Sequence, residues 1–176
     1  RPSPAAEDKQ LGVKDFPLLA GSKSLRGYPH PPMVYRAMLT GKPYPIKAYI
    51  CTTNNVVTFE DSRSVAAALR QLDLLVVPDF FITPTAALAD YILPPATWLE
   101  REDVVDAFCY NGFVCARPKV IEPLGECMDD DDIAFAILKK MNLKFPLPNV
   151  NSNRSLLNYQ LRELGIDFDE FCRQGI

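Results

Sequence analysis

Three short apolar runs, at residues 46–52, 74–77 and 90–94, separate polar stretches in the first half of the chain. Their apolar positions are mostly consecutive rather than alternating, which is typical of strands in a parallel sheet. Their lengths and the turn residues beside them predict β-strands. The first two runs are expected to be parallel neighbours, joined through one helix by a right-handed crossover.

Helical signals lie beside and between these runs. Pro31 suits the first turn of a helix that ends near Gly41. Ser62 is the predicted N-cap of a second helix, and Thr83 followed by Pro84 starts a third. The alternating order of strands and helices predicts an α/β fold, a three-layer Rossmann-like parallel sheet with helices on both faces.

The second half of the chain is less regular. An irregular aromatic segment at residues 108–127 predicts one or two short strands, and residues 129–142 predict a helix that starts with a solvated run of aspartates. Two short C-terminal helices are predicted on either side of Gly165. We therefore expect an extended segment at 1–31, an α/β domain at 32–143 and a helical extension at 144–176.

Composition excludes several classes of function. The chain has 176 residues and a net charge of −3 without a Lys/Arg cluster, which argues against a nucleic-acid partner. No apolar run approaches the ~20 residues that a transmembrane helix needs, so no membrane-spanning segment is expected. The chain starts at Arg1 without a signal-peptide pattern, which indicates a processed chain or an excised piece.

The cysteines do not form a recognisable pattern. There are five, without a C-x-x-C pair, and His30 is the single histidine, so neither a metal site nor a disulfide framework is expected. Buried or partly buried thiols are favoured over a catalytic pair of a cysteine with His30, which lies in a proline-stiffened turn.

Polar residues follow each predicted strand. Ligands bind parallel sheets at the carboxyl ends of the strands, which points to residues 52–55 (TTNN), Asp79 and Arg101 as part of a site for a nucleotide-like ligand. Each has a plainer alternative: ordinary turn chemistry for TTNN, an Asx turn or cap for Asp79, and a salt bridge from Arg101 to Glu100 or Glu102.

Two longer motifs go further. The stretch LDLLVVPDFFITPTAALADYILPPATWLERED carries an acid-ended strand, F-x-T-x-T-A-x-x-A-D, an apolar triplet, a proline and W-x-E-[KR]. The stretch VIEPLGECMDDDDIAFAIL carries P-x-G-E-x-x-x-D leading into a helix. Together they resemble the molybdopterin-dependent oxidoreductases of the DMSO reductase family, over residues 44–143.

The resemblance implies that residues 32–143 bind the guanine dinucleotide end of a bis(molybdopterin guanine dinucleotide) cofactor that holds Mo or W. It assigns five positions to cofactor binding: Asn54, Thr58, Asp79, Arg101 and Asp130.

The family motifs imply a contact for each of the five. Asn54 and Thr58 are expected at the guanosine or diphosphate, Asp79 at the guanosine, Arg101 at a phosphate or base, and Asp130 at the guanine side. Thr85 and Asp90 also match, with structural roles expected for both. We expect Asn54, Asp79, Arg101 and Asp130 to converge at one end of the sheet.

Departures from the family pattern suggest a divergent branch with its own substrate. Thr52 and Asn55 stand where a G-x-N-P turn has Gly and Pro, and Pro78 replaces the usual Gln or Ser. Residues 101–120 replace the common K-E-G-T-F-x-N-x-E-G-R stretch.

Family members are several times longer, with a 4Fe–4S cysteine motif and the metal-ligating residue upstream. The chain is therefore expected to be an internal fragment, without catalytic or metal-ligating residues and inactive alone. The whole enzyme would catalyse two-electron redox or oxygen/hydroxyl transfer with its remaining domains and an iron–sulfur electron-transfer subunit, in a prokaryotic cytoplasm or periplasm. The alternative is a non-catalytic scaffold subunit of a respiratory electron-transfer complex.

Overall fold

The computed structural model describes residues 9–21, 28–52, 55–59, 61–105 and 112–174. Contacts divide the chain into a first unit, Arg1–Ile92, and a second unit, Leu93–Ile176. The elements in chain order are α1 (Pro31–Thr40), β1 (Ala48–Ile50), α2 (Ser62–Leu69), β2 (Leu74–Pro78), β3 (Tyr91–Leu93), β4 (Asp103–Val105), β5 (Cys115–Arg117), α3 (Asp130–Lys140), α4 (Asn153–Leu161) and α5 (Phe168–Gln174). Short 3₁₀ helices lie at Val56–Thr58, Ala86–Leu88 and Arg162–Leu164.

The sheet has the order β1-β2-β3. β1 and β2 are parallel, with Tyr49 opposite Leu75 and Ile50 opposite Val76. The Cys51 amide donates to the Val76 carbonyl and continues the ladder past β1. The predicted α/β class and the parallel pairing of the first two strands are confirmed.

One face of the sheet carries the core of the first unit. Leu75 and Val77 of β2 are each 1% exposed and cluster with Met38 of α1 and with Val65 and Leu69 of α2. Burying a side chain of this kind contributes about 1.5–3 kcal/mol. Because α1 and α2 also contact each other, they cover this face together.

The other face of the sheet is less covered. Ile50 and Leu74, which alternate with the core positions along β1 and β2, are 47% and 36% exposed. The two helices that pack on the core of the first unit, α1 and α2, lie on the face that carries Leu75 and Val77.

The cap of α2 lies one residue before its predicted position. Asp61, rather than Ser62, is the N-cap, and its carboxylate accepts from the Ser64 amide at 3.3 Å and the Ser64 hydroxyl at 2.5 Å. These hydrogen bonds hold the pKa of the Asp61 carboxyl below its usual value. Ser62 becomes the first helical residue.

The third predicted α-helix was wrong, because a turn and a short 3₁₀ helix take its place. Thr83 and Pro84 begin a turn that leads only into the 3₁₀ helix Ala86–Leu88. The reason is length: the Asp90 amide must already donate to the Leu75 carbonyl at 2.9 Å, so few residues remain for a helix. The Asp90 carboxylate accepts from the Leu75 amide at 2.7 Å, which is a structural role as expected.

The second unit combines a hairpin-like pair of strands with helices. β4 and β5 are antiparallel, with Val104 opposite Ala116. β5 confirms a short strand within the irregular segment at 108–127, whereas its partner β4 lies before that segment. The predicted break between the last two helices is confirmed at Gly165, which adopts the left-handed conformation with φ of 69°.

A small core joins α4 and α5. Leu157 and Leu161 of α4 cluster with Phe168 and Phe171 of α5, and all four are at most 4% exposed. None of the helices in the described ranges is long and apolar enough to cross a membrane. The predicted division into three regions stays a prediction.

The capping of α2 is open to a direct test. We expect Asp61→Ala to lower the unfolding temperature and to speed hydrogen exchange at the Ser64 amide, because that amide loses its acceptor. Ser62→Ala is the matched control and should change neither quantity, since Ser62 does not cap the helix. If both substitutions had equal effects, the assignment of Asp61 rather than Ser62 as the N-cap would be wrong. Thermal unfolding and amide exchange by NMR measure the two quantities.

Candidate functional site

The carboxyl end of β2 presents a fixed carboxylate. Asp79 follows Pro78, the last residue of the strand, and is half-buried. Its Oδ1 accepts from the Phe81 amide at 3.3 Å, and its Oδ2 accepts from the Thr83 hydroxyl at 2.9 Å. The Asx turn that was the plainer alternative is therefore present. An ionised carboxylate has about four acceptor positions, so both oxygens keep capacity for a ligand.

The end of β1 leads into the 3₁₀ helix Val56–Thr58. The exposed Thr58 donates its hydroxyl proton to the Asn55 carbonyl at 2.7 Å. A hydroxyl has one donor, so Thr58 in this arrangement offers a ligand acceptor lone pairs only.

Asn55 and Thr85 join the two strand ends. Asn55 belongs to the TTNN stretch that the sequence placed at the site, whereas a structural role was expected for Thr85. Asn55 Oδ1 accepts from the Thr85 hydroxyl at 2.7 Å and from the Thr85 amide at 3.2 Å. The Thr85 hydroxyl also accepts from the Val57 amide at 3.1 Å, and Thr85 is fully buried. The structural role expected of Thr85 is confirmed.

The predicted site residues are distributed over both units. Thr58 and Asp79 belong to the first unit, while Arg101 and Asp130 belong to the second. Asn54 lies outside the described residues. The convergence of the predicted residues at one end of the sheet stays a prediction.

Arg101 and Asp130 meet within an ion-pair network. Arg101 contacts the carboxylates of Asp103 at 3.4 Å, Asp129 at 3.5 Å and Asp130 at 3.9 Å. Asp103 is in turn paired with Arg117 across the β4–β5 ladder. The salt bridge of Arg101 is thus made with these aspartates, where the sequence alternatives were Glu100 and Glu102. Three carboxylates and two guanidinium groups leave an excess of negative charge.

Asp129 is the buried member of this network. It is 8% exposed and caps α3, where its Oδ1 accepts from the Asp131 amide at 2.8 Å. Burial raises the pKa of the Asp129 carboxyl, although the Asp131 amide and Arg101 oppose the rise. Burial also raises the pKa of Asp131, and the neighbouring Asp129 adds to it. The prediction of a solvated helix start was wrong for Asp129, because an acidic run in the sequence does not reveal which of its members is buried in the folded chain.

Glu100, the acid of the W-x-E motif, is a buried acid for which the sequence suggested only a salt bridge to Arg101. It is 5% exposed, and its Oε2 accepts from the amide and hydroxyl of Thr97, each at 2.7 Å. Its Oε1 accepts from the Leu124 amide at 3.0 Å. These bonds, those of Thr97 above all, lower the pKa of the Glu100 carboxyl. The T-x-x-E spacing, which is the capping-box pattern, was the available signal.

A cavity of about 350 Å³ in the second unit adjoins this network. Its lining includes Glu100, Arg101 and Asp129 together with Lys119 and Arg154. Lys119 is paired with Glu122, and Arg154 with Glu102 and Asp169, so the cations here are already neutralised by neighbouring acids.

The cysteines and the histidine act as packing residues where they are described. Cys51 is buried, and burial raises the pKa of its thiol. His30 stacks on Phe16 with ring centroids 4.3 Å apart. Cys109 lies outside the described residues, and within the described ranges no three His, Cys, Asp or Glu side chains are grouped to hold a metal ion.

Comparison with known proteins identifies the family. The family model described as molybdopterin oxidoreductase matches residues 29–140. The chain belongs to the molybdopterin oxidoreductase family. The resemblance drawn from the acid-ended strand and the W-x-E and P-x-G-E motifs is therefore confirmed.

Members of the molybdopterin oxidoreductase family match this chain in sequence and structure. Acetylene hydratase of Syntrophotalea acetylenica is 33% identical over 146 residues, 82% of this chain. The thiosulfate reductase molybdopterin-containing subunit PhsA of Salmonella typhimurium is 35% identical over 127 residues, 71% of this chain. The solved structure of acetylene hydratase from Pelobacter acetylenicus has a TM-score of 0.85 and 27% identity over 98% of this chain.

The chain corresponds to a minor part of these relatives. It spans 20% of the Syntrophotalea acetylene hydratase and 16% of PhsA. It covers 26% of the chain in the solved acetylene hydratase structure.

The hydrogen bonds of Glu100 predict a pH-dependent contribution to stability. A carboxyl whose pKa is lowered on folding stabilises the protein above its unfolded pKa, about 4.3, and loses that contribution as the pH falls through the folded value. We expect Glu100→Gln to lower the unfolding temperature at pH 7. The side-chain NH₂ of glutamine would face an N–H or O–H donor of Thr97 or Leu124, where the carboxylate oxygen of Glu100 accepts a hydrogen bond. The difference from wild type should shrink below about pH 4.3.

Glu122→Gln is the control for this prediction. The Glu122 side chain is 83% exposed, so its substitution should leave the unfolding temperature at pH 7 unchanged. A Glu100→Gln difference that stays constant between pH 7 and pH 3 would contradict the assigned role. Thermal unfolding across this pH range is the measurement.

Proposed function

We propose that this chain forms one wall of the cofactor site in a longer molybdenum or tungsten oxidoreductase, where it contacts the guanine dinucleotide end of bis(molybdopterin guanine dinucleotide). The observation that carries the proposal is Asp79, a half-buried carboxylate held by Phe81 and Thr83 at the carboxyl end of a parallel strand. Ligands of open parallel sheets bind at this edge.

The residues present are compatible with a nucleotide's donor groups. Asp79 has acceptor capacity for a ribose hydroxyl or a base N–H, and Thr58 offers an acceptor at the end of the neighbouring strand. In the second unit, the excess of carboxylates around Arg101 suits the N1–H and amino donors of guanine better than a diphosphate. We therefore assign Arg101 and Asp130 to the base rather than to a phosphate.

When bound, the cofactor supplies the metal centre for two-electron redox or oxygen/hydroxyl transfer. In this proposal the described residues orient its nucleotide end and exchange no proton or electron with a substrate. The metal ligand, a 4Fe–4S cluster and an electron-transfer subunit belong to other parts of the enzyme. The named relatives are a hydratase and a reductase, which favours an enzyme over the alternative of a non-catalytic scaffold.

The proposal predicts that Asp79 affects cofactor content. In the full polypeptide that carries this chain, produced in a host that makes the cofactor, Asp79→Ala should weaken cofactor binding by about 1–3 kcal/mol, because a hydrogen bond to a buried partner is lost. The measurement is GMP released by acid hydrolysis per protein, with Mo and W determined by mass spectrometry.

Asp73→Ala is the matched control. Asp73 precedes β2 at its opposite end and pairs with Lys47, and its side chain is 65% exposed. It should retain the GMP content of wild type. Equal GMP content in wild type and Asp79→Ala would refute the contact, and a full polypeptide without Mo or W would favour the scaffold.

A further inference from the structure

Two polar residues link the loops that follow β1 and β2. Asn55 lies in the first loop and Thr85 in the second, 30 residues further along the chain. Asn55 Oδ1 accepts both the hydroxyl and the amide of Thr85, at 2.7 Å and 3.2 Å. We call these two residues the Asn55–Thr85 pair.

Asn55 bonds one proposed cofactor contact directly, and Thr85 lies in the turn that bonds the other. Thr58 donates its hydroxyl to the carbonyl of Asn55 itself. On the other side, Thr83 donates its hydroxyl to Asp79 and accepts from the Ala86 amide at 3.2 Å, so the turn around Thr85 carries the partner of Asp79. The pair is therefore the link between the residue that orients Thr58 and the turn that orients Asp79.

Burial restricts the conformation of the Asn55–Thr85 pair. Thr85 is fully buried, and its hydroxyl both donates to Asn55 and accepts from the Val57 amide. A buried hydroxyl whose donor and acceptor functions are both used has a single favourable rotamer, because turning it leaves buried polar groups without partners. Asn55 occupies the position where the family motif has proline, and it provides the restraint through its side chain instead.

We propose that Asn55 and Thr85 are positioning residues for the cofactor, setting the spacing between the Thr58 hydroxyl and the Asp79 carboxylate. This inference rests on the proposed function, because it requires a ligand at these two side chains. Neither residue of the pair needs to touch the cofactor. Their effect on cofactor binding acts through Asp79 and Thr58.

The test compares two substitutions at Thr85 in the full polypeptide produced with its cofactor. Thr85→Val keeps the shape but removes the hydroxyl, whereas Thr85→Ser keeps the hydroxyl. We expect Thr85→Val to accelerate loss of GMP-bearing cofactor during dialysis by about 3- to 10-fold, and Thr85→Ser to remain near wild type. Asn55→Ala, at a half-buried position, should accelerate cofactor loss similarly. It replaces Thr85→Val in the test if that variant does not fold.

A double substitution separates positioning from general destabilisation. If the pair acts by setting the spacing between Thr58 and Asp79, adding Thr85→Val to Asp79→Ala should change the rate of cofactor loss by less than about twofold, since one of the two spaced groups is gone. A merely structural role predicts that the two rate effects multiply. The unfolding temperature of the apo protein is recorded for every variant.

The outcomes distinguish the two proposals. If Asp79→Ala releases cofactor faster but Thr85→Val and Asn55→Ala do not, the positioning role is wrong and the proposed function stands. Multiplying rate effects in the double variant, or equal rates for Thr85→Ser and Thr85→Val, also overturn the positioning role. If wild type holds no GMP-bearing cofactor, or Asp79→Ala releases it no faster than wild type, the proposed contact fails, and the positioning role with it.

Discussion

The parallel pairing of β1 with β2 is the constraint on which the first unit depends. It buries Leu75 and Val77 against α1 and α2, and it brings the carboxyl ends of both strands to the same edge. The loops after the strands must then meet, and their backbone polar groups need partners as water is excluded. Asn55 and Thr85 provide those partners, so the packing of the sheet and the order of the candidate site have the same origin.

In the second unit, the candidate site residues are held by ion pairs rather than by neutral hydrogen bonds. Arg101 is surrounded by Asp103, Asp129 and Asp130, and the buried Asp129 has a raised pKa despite the neighbouring guanidinium. Desolvation of a carboxylate thus exceeds the stabilisation it receives from one partly exposed arginine. A guanidinium with this many acidic neighbours is a poor anchor for phosphate. The same acidic surroundings are suited to the hydrogen-bond donors of a base.

Asn55, which stands where the family motif has proline, is restrained by a partner in another loop. Proline would restrict the turn after β1 by its ring, whereas Asn55 restricts it by two hydrogen bonds to Thr85. A side-chain restraint of this kind depends on a partner in another loop. It therefore couples the two strand ends more directly than a proline does.

The amino-acid sequence was sufficient to predict the strands of the parallel pair, several helix ends and the family. Consecutive apolar positions predicted β1 and β2 and their parallel pairing, Gly41 and Gly165 marked helix ends, and the contiguous W-x-E and P-x-G-E motifs indicated a molybdopterin oxidoreductase. These features are encoded within short stretches, so they can be read without knowing distant contacts.

The partners of the polar side chains depend on the folded structure. The salt bridge that was the alternative role of Arg101 could have involved the adjacent Glu100 or Glu102. The structure instead brings Arg101 to Asp103 nearby and to Asp129 and Asp130 from a distant segment. Glu100 holds Leu124, 24 residues away, and Asn55 holds Thr85. The choice among several chemically equivalent partners, and the burial that gives each contact its strength, depend on which distant segments packing brings together; a local pattern does not contain that information.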